Sequence, residues 1–450
     1  MRKIAIIGSG QSALVAAHGL LQAGHEVTLY SDRTAESWLG DARPTGTAVR
    51  FAQSLDYERA LGLDQFHAEA PKMDGLKVTV CSHPQKPILT LHGRFPRSPL
   101  AIDLRLQSAT WMDRFAAAGG TLVIEKVTAE RVDAIARAHD LTIVATGKEG
   151  GALFARDPVR SPATAPLRHL AMVNCEGPSM RFPDVPFLAA KFNIFEGLGE
   201  CYWTPYYHKD RKPLWNLVFE AKPGTSYDRF GGAKSGEEVL RISKEIVREL
   251  MPWDHRWIEG ARLADPQSFL VGAITPTVRD PVGKVASGRP VIPLGDAYMA
   301  FDPLGAQGAN MGNRLASTLV AAIGARKDEP FDAAWIRRTY DTFFERWGGP
   351  SMRWTHLLLE PMSPGARYLM LAQLGADGLS LGGSPKQRVA DAFAGNFDDP
   401  KKLCDTLADF GKARRWVAET MGRGSDWEAA KGLFAVGGRQ LRNTIEAAQR

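Results

Sequence analysis

Cysteine is scarce in this chain, and the four that occur, Cys81, Cys175, Cys201 and Cys404, lie far apart in sequence. No C-x-x-C pair is present, which excludes the zinc and dithiol redox motifs built on that spacing. The ten histidines form neither H-x-x-x-H nor H-E-x-x-H, so a zinc site has little support. We therefore expect no bound metal. Scattered thiols suit a reducing cytoplasm.

Long apolar runs and long runs of one charge are also absent. No stretch of about 18 apolar residues occurs, so we expect no membrane span. The net charge is +6, but no five lysines or arginines stand together, which argues against a nucleic-acid partner. The apolar run at residues 4–7 is shorter than the core of a secretory signal. We therefore predict a cytoplasmic protein.

The first thirty residues have the order of a βαβ unit. Ile4–Ile7 is a continuous apolar run, as in a strand buried on both faces. Small and apolar residues then recur at helical spacing until Gly24, and a second strand covers residues 25–30. This order predicts parallel strands with a right-handed crossover.

The turn between the first strand and the helix reads Gly8-x-Gly10-x-x-Ala13, with Gln11 and Ser12 inside it. Glycines allow a tight turn and a close approach of backbone to a pyrophosphate, and the helix N-terminus supplies N–H donors. The motif follows a strand and opens a helix, so we interpret it as a dinucleotide-binding fingerprint rather than a plain structural turn.

The acidic residue that usually closes the second strand is displaced. Ser31 follows the strand, and Asp32 and Arg33 come next. Either side chain could reach the adenosine ribose or the phosphates, and a surface ion pair at a strand end is the alternative.

The rest of the chain divides by pattern into three parts. We predict an α/β fold in which a Rossmann-type domain is assembled from residues 1–165 and 276–330. Aromatic-rich strands over residues 166–275 predict an inserted mixed-sheet substrate domain. Residues 331–450 are mostly helical in pattern and form a helical C-terminal region.

Two further motifs follow predicted strands. Thr146-Gly147 ends one strand and could bring backbone close to a dinucleotide. Later, Gly295-Asp296 ends another strand and is followed by a glycine-rich turn over residues 302–311 that opens a helix. A carboxylate at Asp296 can accept a hydrogen bond from a ribityl hydroxyl. The helix N-terminus can stabilise negative charge on a reduced flavin ring.

Taken in order, these motifs resemble the aromatic-hydroxylase class of flavoprotein monooxygenases, and within it the styrene and indole monooxygenase family of two-component flavin epoxidases. Shorter matches at residues 27–33, 103–106 and 146–148, with Pro276 and Arg279, extend the resemblance over residues 1–320. The helical tail is similar only in type.

The resemblance implies that a separate NADH-dependent flavin reductase supplies reduced FAD in trans. Oxygen would add to give a C4a-(hydro)peroxyflavin, which epoxidises or hydroxylates a small apolar aromatic alkene or an indole-like substrate. By the same resemblance Arg43 and Arg105 could touch the flavin or its phosphates, although surface arginines need no such role. A homodimer is left open.

The residues expected to bind FAD are Gly8, Gly10, Gln11, Ser12, Ala13, Asp32, Arg33, Arg43, Arg105, Thr146, Gly147, Asp296, Pro303, Gly305, Gln307, Gly308, Ala309 and Asn310. The residues expected at the reacting centre are Gly46, Thr47 and Pro303. The family commonly has Asn-Thr where this chain has Gly46-Thr47, so Gly46 leaves substrate identity open and could make room for a larger substrate.

Three other functions are compatible with parts of this pattern. A single-component NAD(P)H-dependent aromatic hydroxylase also lacks a second dinucleotide fingerprint and is the nearest rival. A flavin halogenase is set aside because Trp-x-Trp-x-Ile-Pro is absent from the sequence. A scaffold with structural FAD would not need the glycine-rich turn over residues 305–308.

Overall fold

The structure is a computed structural model that describes residues 1–83, 86–161 and 163–448. The strands are β1 (Lys3–Ile7), β2 (Glu26–Ser31), β3 (Val49–Arg50), β4 (Gly75–His83), β5 (Lys86–Arg94), β6 (Leu100–Ala101), β7 (Thr121–Ile124), β8 (Leu141–Val144), β9 (His169–Glu176), β10 (Ala189–Phe195), β11 (Gly199–Tyr207), β12 (Pro213–Ala221), β13 (Arg262–Leu263), β14 (Phe269–Ala273), β15 (Thr277–Val278), β16 (Val291–Pro293) and β17 (Met299–Ala300). The α-helices are α1 (Gln11–Gln22), α2 (Ala35–Gly40), α3 (Ala52–Ala60), α4 (Leu104–Ala117), α5 (Ala129–Ala138), α6 (Gly236–Leu250), α7 (Pro252–Glu259), α8 (Gly308–Arg326), α9 (Ala333–Phe343), α10 (Gly349–Leu359), α11 (Pro364–Ala372), α12 (Pro385–Gly395), α13 (Cys404–Ala408), α14 (Phe410–Met421) and α15 (Ser425–Ala448).

A five-stranded parallel sheet has the order β16-β8-β1-β2-β7. Ile4, Ala5 and Ile6 of its central strand are fully buried, because α1 and α8 cover one face and α5 covers the other. Burial on both faces is the reason for the continuous apolar run in the sequence. The carboxyl ends of β1, β2, β8 and β16 meet at one edge, where crossover folds of this kind bind ligands.

A second, mixed sheet of eight strands has the path β13-β9-β12-β11-β10-β4-β5, with β14 also paired to β9. It includes β4, which pairs in parallel with β10, and β5, which pairs with β4. The sequence places these two strands within residues 1–165 of the predicted Rossmann-type domain, whereas the structure pairs them with the mixed sheet. Partners more than 100 residues apart leave no local signal. The other boundaries stay predictions.

The two faces of the mixed sheet have different neighbours. Trp203, Trp215 and Phe219 face α6 and α7 in one apolar core. Alternate residues point the other way, and Tyr202 and Val218 pack there against residues of the glycine-rich turn and of α10. This second face looks towards the parallel sheet and positions the candidate site.

Helices α9 to α15 form the C-terminal region. Helix α9 packs in the core of the parallel sheet, whereas α10 to α15 share a core with β4 and β5. Trp354 of α10 is fully buried in this core, as expected of a packing residue. Among the residues that the structure describes, no helix combines the length and the hydropathy needed to cross a bilayer.

Candidate functional site

A cleft of about 550 Å³ opens at the carboxyl edge of the parallel sheet and continues beneath the mixed sheet. It brings together the three motifs that the sequence singled out, although they are separated by as many as 300 residues. The predicted residues that line it are Gly8, Gly10, Gln11, Ser12, Asp32, Arg33, Gly46, Thr47, Thr146, Gly147, Asp296, Pro303, Gln307, Gly308 and Ala309.

The turn after β1 presents backbone to the cleft. Gly8 has φ of +115°, and a Cβ there would stand 2.5 Å from the carbonyl oxygen of Ala145, so this position excludes a side chain. A Cβ on Gly10 would meet nothing within 4 Å. Gly10 is the N-cap of α1 and makes no side-chain cap, which leaves the first N–H groups of that helix for an anion.

Asp32 and Arg33 lie at the carboxyl end of β2 and pair with each other at 2.7 Å. The guanidinium of Arg33 stacks over Trp38, with its carbon 4.7 Å from the ring centroid. The hydrogen bond from Arg33 lowers the pKa of Asp32, so the carboxylate is ionised and can accept from ribose hydroxyls. Ser31 instead turns inward and bonds the hydroxyl of Ser9 at 2.7 Å.

Asp296 occupies a short 3₁₀ turn, Gly295–Ala297, just after β16. Burial raises the pKa of Asp296, while the charges of Lys148 and Arg279 oppose that rise. Within the described part of the chain its carboxylate has no hydrogen-bond partner. A partnerless carboxyl in a cleft is suited to accept from a ligand hydroxyl.

The glycine-rich turn begins with a 3₁₀ turn at Pro303–Gly305, continues through Ala306 with φ of +52°, and leads into α8. No side chain caps α8, so its first N–H groups are directed to the cleft. Gln307 lines the cleft, but its amide is engaged elsewhere. It donates to the carbonyl of Phe397 at 3.0 Å and accepts from Ser351 at 3.1 Å.

The loop that contains Gly46 and Thr47 contacts the mixed sheet. Thr47 Oγ1 donates to Asn216 Oδ1 of β12 at 2.6 Å. Gly46 has φ of +152°, and a Cβ there would meet nothing within 4 Å. The neighbouring Ala48 also has a positive φ, +50°, which is uncommon for a residue with a side chain. The geometry leaves open space at Gly46, where the family's asparagine would add an amide.

Five of the predicted residues do not line the cleft, and four of these make packing contacts elsewhere. Ala13 is fully buried in the core, and a Cβ on Gly305 would meet Thr355 Oγ1 at 2.5 Å. Asn310 accepts from the backbone N–H of Phe51 at 3.0 Å and so braces the start of α3. Arg43 stacks over Phe269. These contacts support packing roles, and direct contact with a flavin stays an unsupported prediction for them.

Arg105 is fully buried in an ionic cluster at the N-terminus of α4. It donates to Asp103 at 2.8 Å and to Asp265 at 3.0 Å, and His208 lies 3.2 Å away. Although burial opposes it, hydrogen bonds from His208 and Arg105 hold the pKa of Asp265 well below its usual range. Arg105 is therefore satisfied by protein carboxylates. The flavin contact implied by the resemblance receives no support from its position.

Sequence reasoning missed the polar residues on the inner face of the mixed sheet. Asn216 and Glu220 alternate with apolar residues along the buried strand β12, and both side chains are fully buried. The register places Asn216 between Thr204 and Asn174. The sequence did contain a signal for these residues, because two polar residues stand four positions apart in an otherwise strongly apolar strand. Buried polar groups need partners or a function.

Comparison with known proteins adds an independent line of evidence. The family model of the styrene monooxygenase A substrate binding domain matches residues 147–256. Styrene monooxygenase StyA of Pseudomonas fluorescens is 26% identical over 429 residues, covering 92% of this chain and 97% of the relative. A StyA of a Pseudomonas species is also 26% identical, over 431 residues, covering 93% and 98%. The chain is thus similar to the styrene monooxygenases over almost its whole length. It is a flavin-dependent monooxygenase.

Solved structures agree on the fold. The flavin-dependent brominase Bmp2 superposes with a TM-score of 0.60 at 12% identity, covering 93% of this chain and 98% of that one. A flavoprotein/dehydrogenase from Cytophaga hutchinsonii gives 0.63 at 11% identity, with the same coverage. At such low identity the likeness concerns architecture alone. It confirms the predicted α/β flavin-binding fold.

Proposed function

We propose that this flavin-dependent monooxygenase binds FAD that a separate NADH-dependent reductase has reduced, and uses dioxygen to epoxidise or hydroxylate a small aromatic alkene or indole-like substrate. The observation that carries the proposal is the two-ended cleft. One end has the bare N-terminus of α1, suited to a pyrophosphate. The other has the N-terminus of α8 beside the inner face of the mixed sheet.

The chain's own residues would hold FAD along this cleft. Backbone N–H groups after Gly10 bind the pyrophosphate, Asp32 accepts from the ribose, and Asp296 accepts from the ribityl chain. The N-terminus of α8, at Gly308 and Ala309, stabilises negative charge on the reduced ring. When bound, reduced FAD activates dioxygen and delivers one oxygen atom to the substrate.

The substrate would lie between the glycine-rich turn and the mixed sheet. Tyr202 lines the cleft there, and Val218 and Met172 stand beside it in one cross-strand row that packs with Leu304 into an apolar cluster. Such a wall excludes water and suits an aromatic hydrocarbon. The pair Thr47–Asn216 at the edge of this wall could accept from a ring N–H, which favours indole-like compounds among the candidates.

The decisive experiment mixes the protein and chemically reduced FAD, under anaerobic conditions and without reductase, with oxygenated buffer in a stopped-flow spectrophotometer. We expect a long-lived absorbing species before oxidised FAD appears, and faster decay with oxygenated product when styrene or indole is present. Immediate reoxidation without such a species, together with direct reduction of bound FAD by NADPH, would establish the single-component aromatic hydroxylase instead.

A further inference from the structure

Two buried carboxyl groups face each other directly behind the glycine-rich turn. Glu220 and Asp302 are both fully buried. Tyr202 donates to Glu220 Oε1 at 2.9 Å, and the N–H of Leu304 donates to Asp302 Oδ1 at 3.1 Å. The other two oxygens, Glu220 Oε2 and Asp302 Oδ2, are buried and have no donor among the described residues.

Each carboxyl thus has one buried oxygen without a donor, and each group influences the ionisation of the other. Two ionised carboxylates repel and offer only acceptors, so a buried pair of this kind is favourable only when a proton is held between them. Burial, followed by the charge of Asp302, raises the pKa of Glu220 well above its usual range. Burial also raises the pKa of Asp302, opposed by the hydrogen bond with Glu220. Geometry and electrostatics therefore agree that the pair keeps one proton.

The surrounding charges do not replace that proton. Arg168 binds both oxygens of Glu200, at 2.7 and 2.9 Å, and also the carbonyl of Leu359. Its charge opposes the rise in the pKa of Asp302 but does not reverse it. Glu200 adds further negative charge beside Glu220, while His356 of α10 faces Asp302. Lys222 acts mainly on Glu200.

The pair is also connected to the cleft. Asp302 immediately precedes Pro303, which lines the cleft, and Leu304 packs against Tyr202. Tyr202 itself lines the cleft and holds Glu220 through its hydroxyl. The side chain of Tyr202, which lines the cleft, is thus one hydrogen bond away from the carboxyl pair.

The reaction proposed above consumes a proton, and the present inference rests on that proposal. Anionic reduced FAD, dioxygen, substrate and one proton yield oxidised FAD, oxygenated substrate and water. We propose that Glu220 and Asp302 share one proton at neutral pH and that Tyr202 passes it to an oxygen in the cleft. Tyr202 is then the catalytic proton donor, and the carboxyl pair positions and recharges it.

The structure has the O–H of Tyr202 donating to Glu220 Oε1, so the transfer requires this O–H to turn towards the cleft and the shared proton to move to Oε1. The O–H bond of Tyr202 then breaks as its proton forms a bond to the acceptor oxygen, and the O–H bond of Glu220 breaks as its proton crosses the 2.9 Å contact to the tyrosine oxygen. The pair passes from one negative charge to two. It regains its proton from solvent before the next turnover. The raised pKa of Tyr202, caused first by burial, keeps the hydroxyl protonated between turnovers.

The shared proton can be tested without flavin. Infrared difference spectra of the protein in H₂O and D₂O across a pH titration should contain the carbonyl stretch of a protonated carboxylic acid at neutral pH. This band should disappear in Glu220→Gln and in Asp302→Asn, and persist in the exposed control Glu237→Gln. A neutral-pH spectrum without the band, or a band that survives in both variants, would overturn the shared proton.

The relay is tested with Tyr202→Phe against Tyr227→Phe, a control that removes another buried hydroxyl from the opposite face of the sheet. In the stopped-flow experiment, the rate at which oxidised FAD and water form should fall roughly 100-fold in Tyr202→Phe. The difference between this rate in H₂O and in D₂O, expected for the wild type, should disappear. The control should match wild type in both. Equal rates in the two variants would refute the relay. A wild-type protein that never oxygenates substrate would refute the proposed function, and the infrared band would still decide the shared proton.

Discussion

Gly8 and Gly10 stand two residues apart in the fingerprint but answer different steric demands. Gly8 needs its positive φ and the absence of Cβ because the carbonyl of Ala145 is too close. Gly10 has an ordinary φ of −74° and open space in front of it. The first glycine therefore serves the fold, and the second leaves room that we assign to the pyrophosphate.

Gly10→Ala should fold normally and bind FAD at least about tenfold more weakly, because a methyl group enters the proposed phosphate site. Gly8→Ala should instead lower the free energy of unfolding by roughly 1–3 kcal/mol, because the new methyl group clashes with the carbonyl of Ala145 and the positive φ is strained for alanine. Flavin fluorescence titration and thermal unfolding of both variants measure the two effects. If Gly10→Ala binds FAD with wild-type affinity, the pyrophosphate does not bind at this turn.

Asp296 has a carboxylate that no described residue binds. Replacement by alanine should weaken the binding of reduced FAD by about 1–2 kcal/mol, roughly a tenfold loss, since a ribityl hydroxyl would lose its acceptor. Anaerobic titration measures this, with the exposed Asp328→Asn as control. Unchanged affinity in Asp296→Ala would show that the ribityl assignment is wrong.

At the scale of elements, the ionic cluster around Arg105 ties the start of α4 to β11 and to the loop before β14. Asp103 caps α4, and Asp265 bridges Arg105 and His208. Removing one partner of a buried ion pair strands the others, which costs about 3–5 kcal/mol. Arg105 therefore stabilises the packing of α4 against β11 and the loop before β14.

Arg105→Met should accordingly lower the free energy of unfolding by about 3–5 kcal/mol while the folded protein keeps its affinity for FAD. Chemical denaturation and flavin titration below the unfolding transition separate the two quantities. A tenfold loss of FAD affinity with unchanged stability would instead support the flavin contact that the resemblance implied.

The acidic pair makes the stability of the whole molecule depend on pH. Because the pKa of Glu220 is raised on folding, its contribution to stability is fully present below the ordinary glutamate pKa and is lost as pH rises through the raised value. Asp265 has the opposite dependence. Its pKa is lowered, so its contribution is lost as pH falls.

Glu220→Gln mimics the protonated acid and should be increasingly more stable than wild type as pH rises from neutral to alkaline. Thermal unfolding at a series of pH values measures the difference in Tm. Glu237→Gln, an exposed control, should follow wild type throughout. A Tm difference that does not change with pH would mean that Glu220 is ionised in the folded protein.

The half of the fold that contains the parallel sheet was predictable because its signals are local. A strand, a glycine turn and a helix follow within about twenty residues, and each later motif sits at the end of its own strand. The register of β4 with β10 was not predictable, since these strands are more than 100 residues apart and either could have paired elsewhere.

By itself the sequence determined the parallel βαβ core and the positions of Gly8, Gly10 and Asp296, because backbone sterics and helix termini depend on neighbours in the chain. It also indicated the resemblance to the styrene monooxygenases. Only the tertiary structure decided that Arg105 is held by carboxylates and that Glu220 meets Asp302. These are properties of burial and of contacts between distant segments. The protonation state of an ionisable residue depends on its burial and on its partner, and both are set only when the chain has folded.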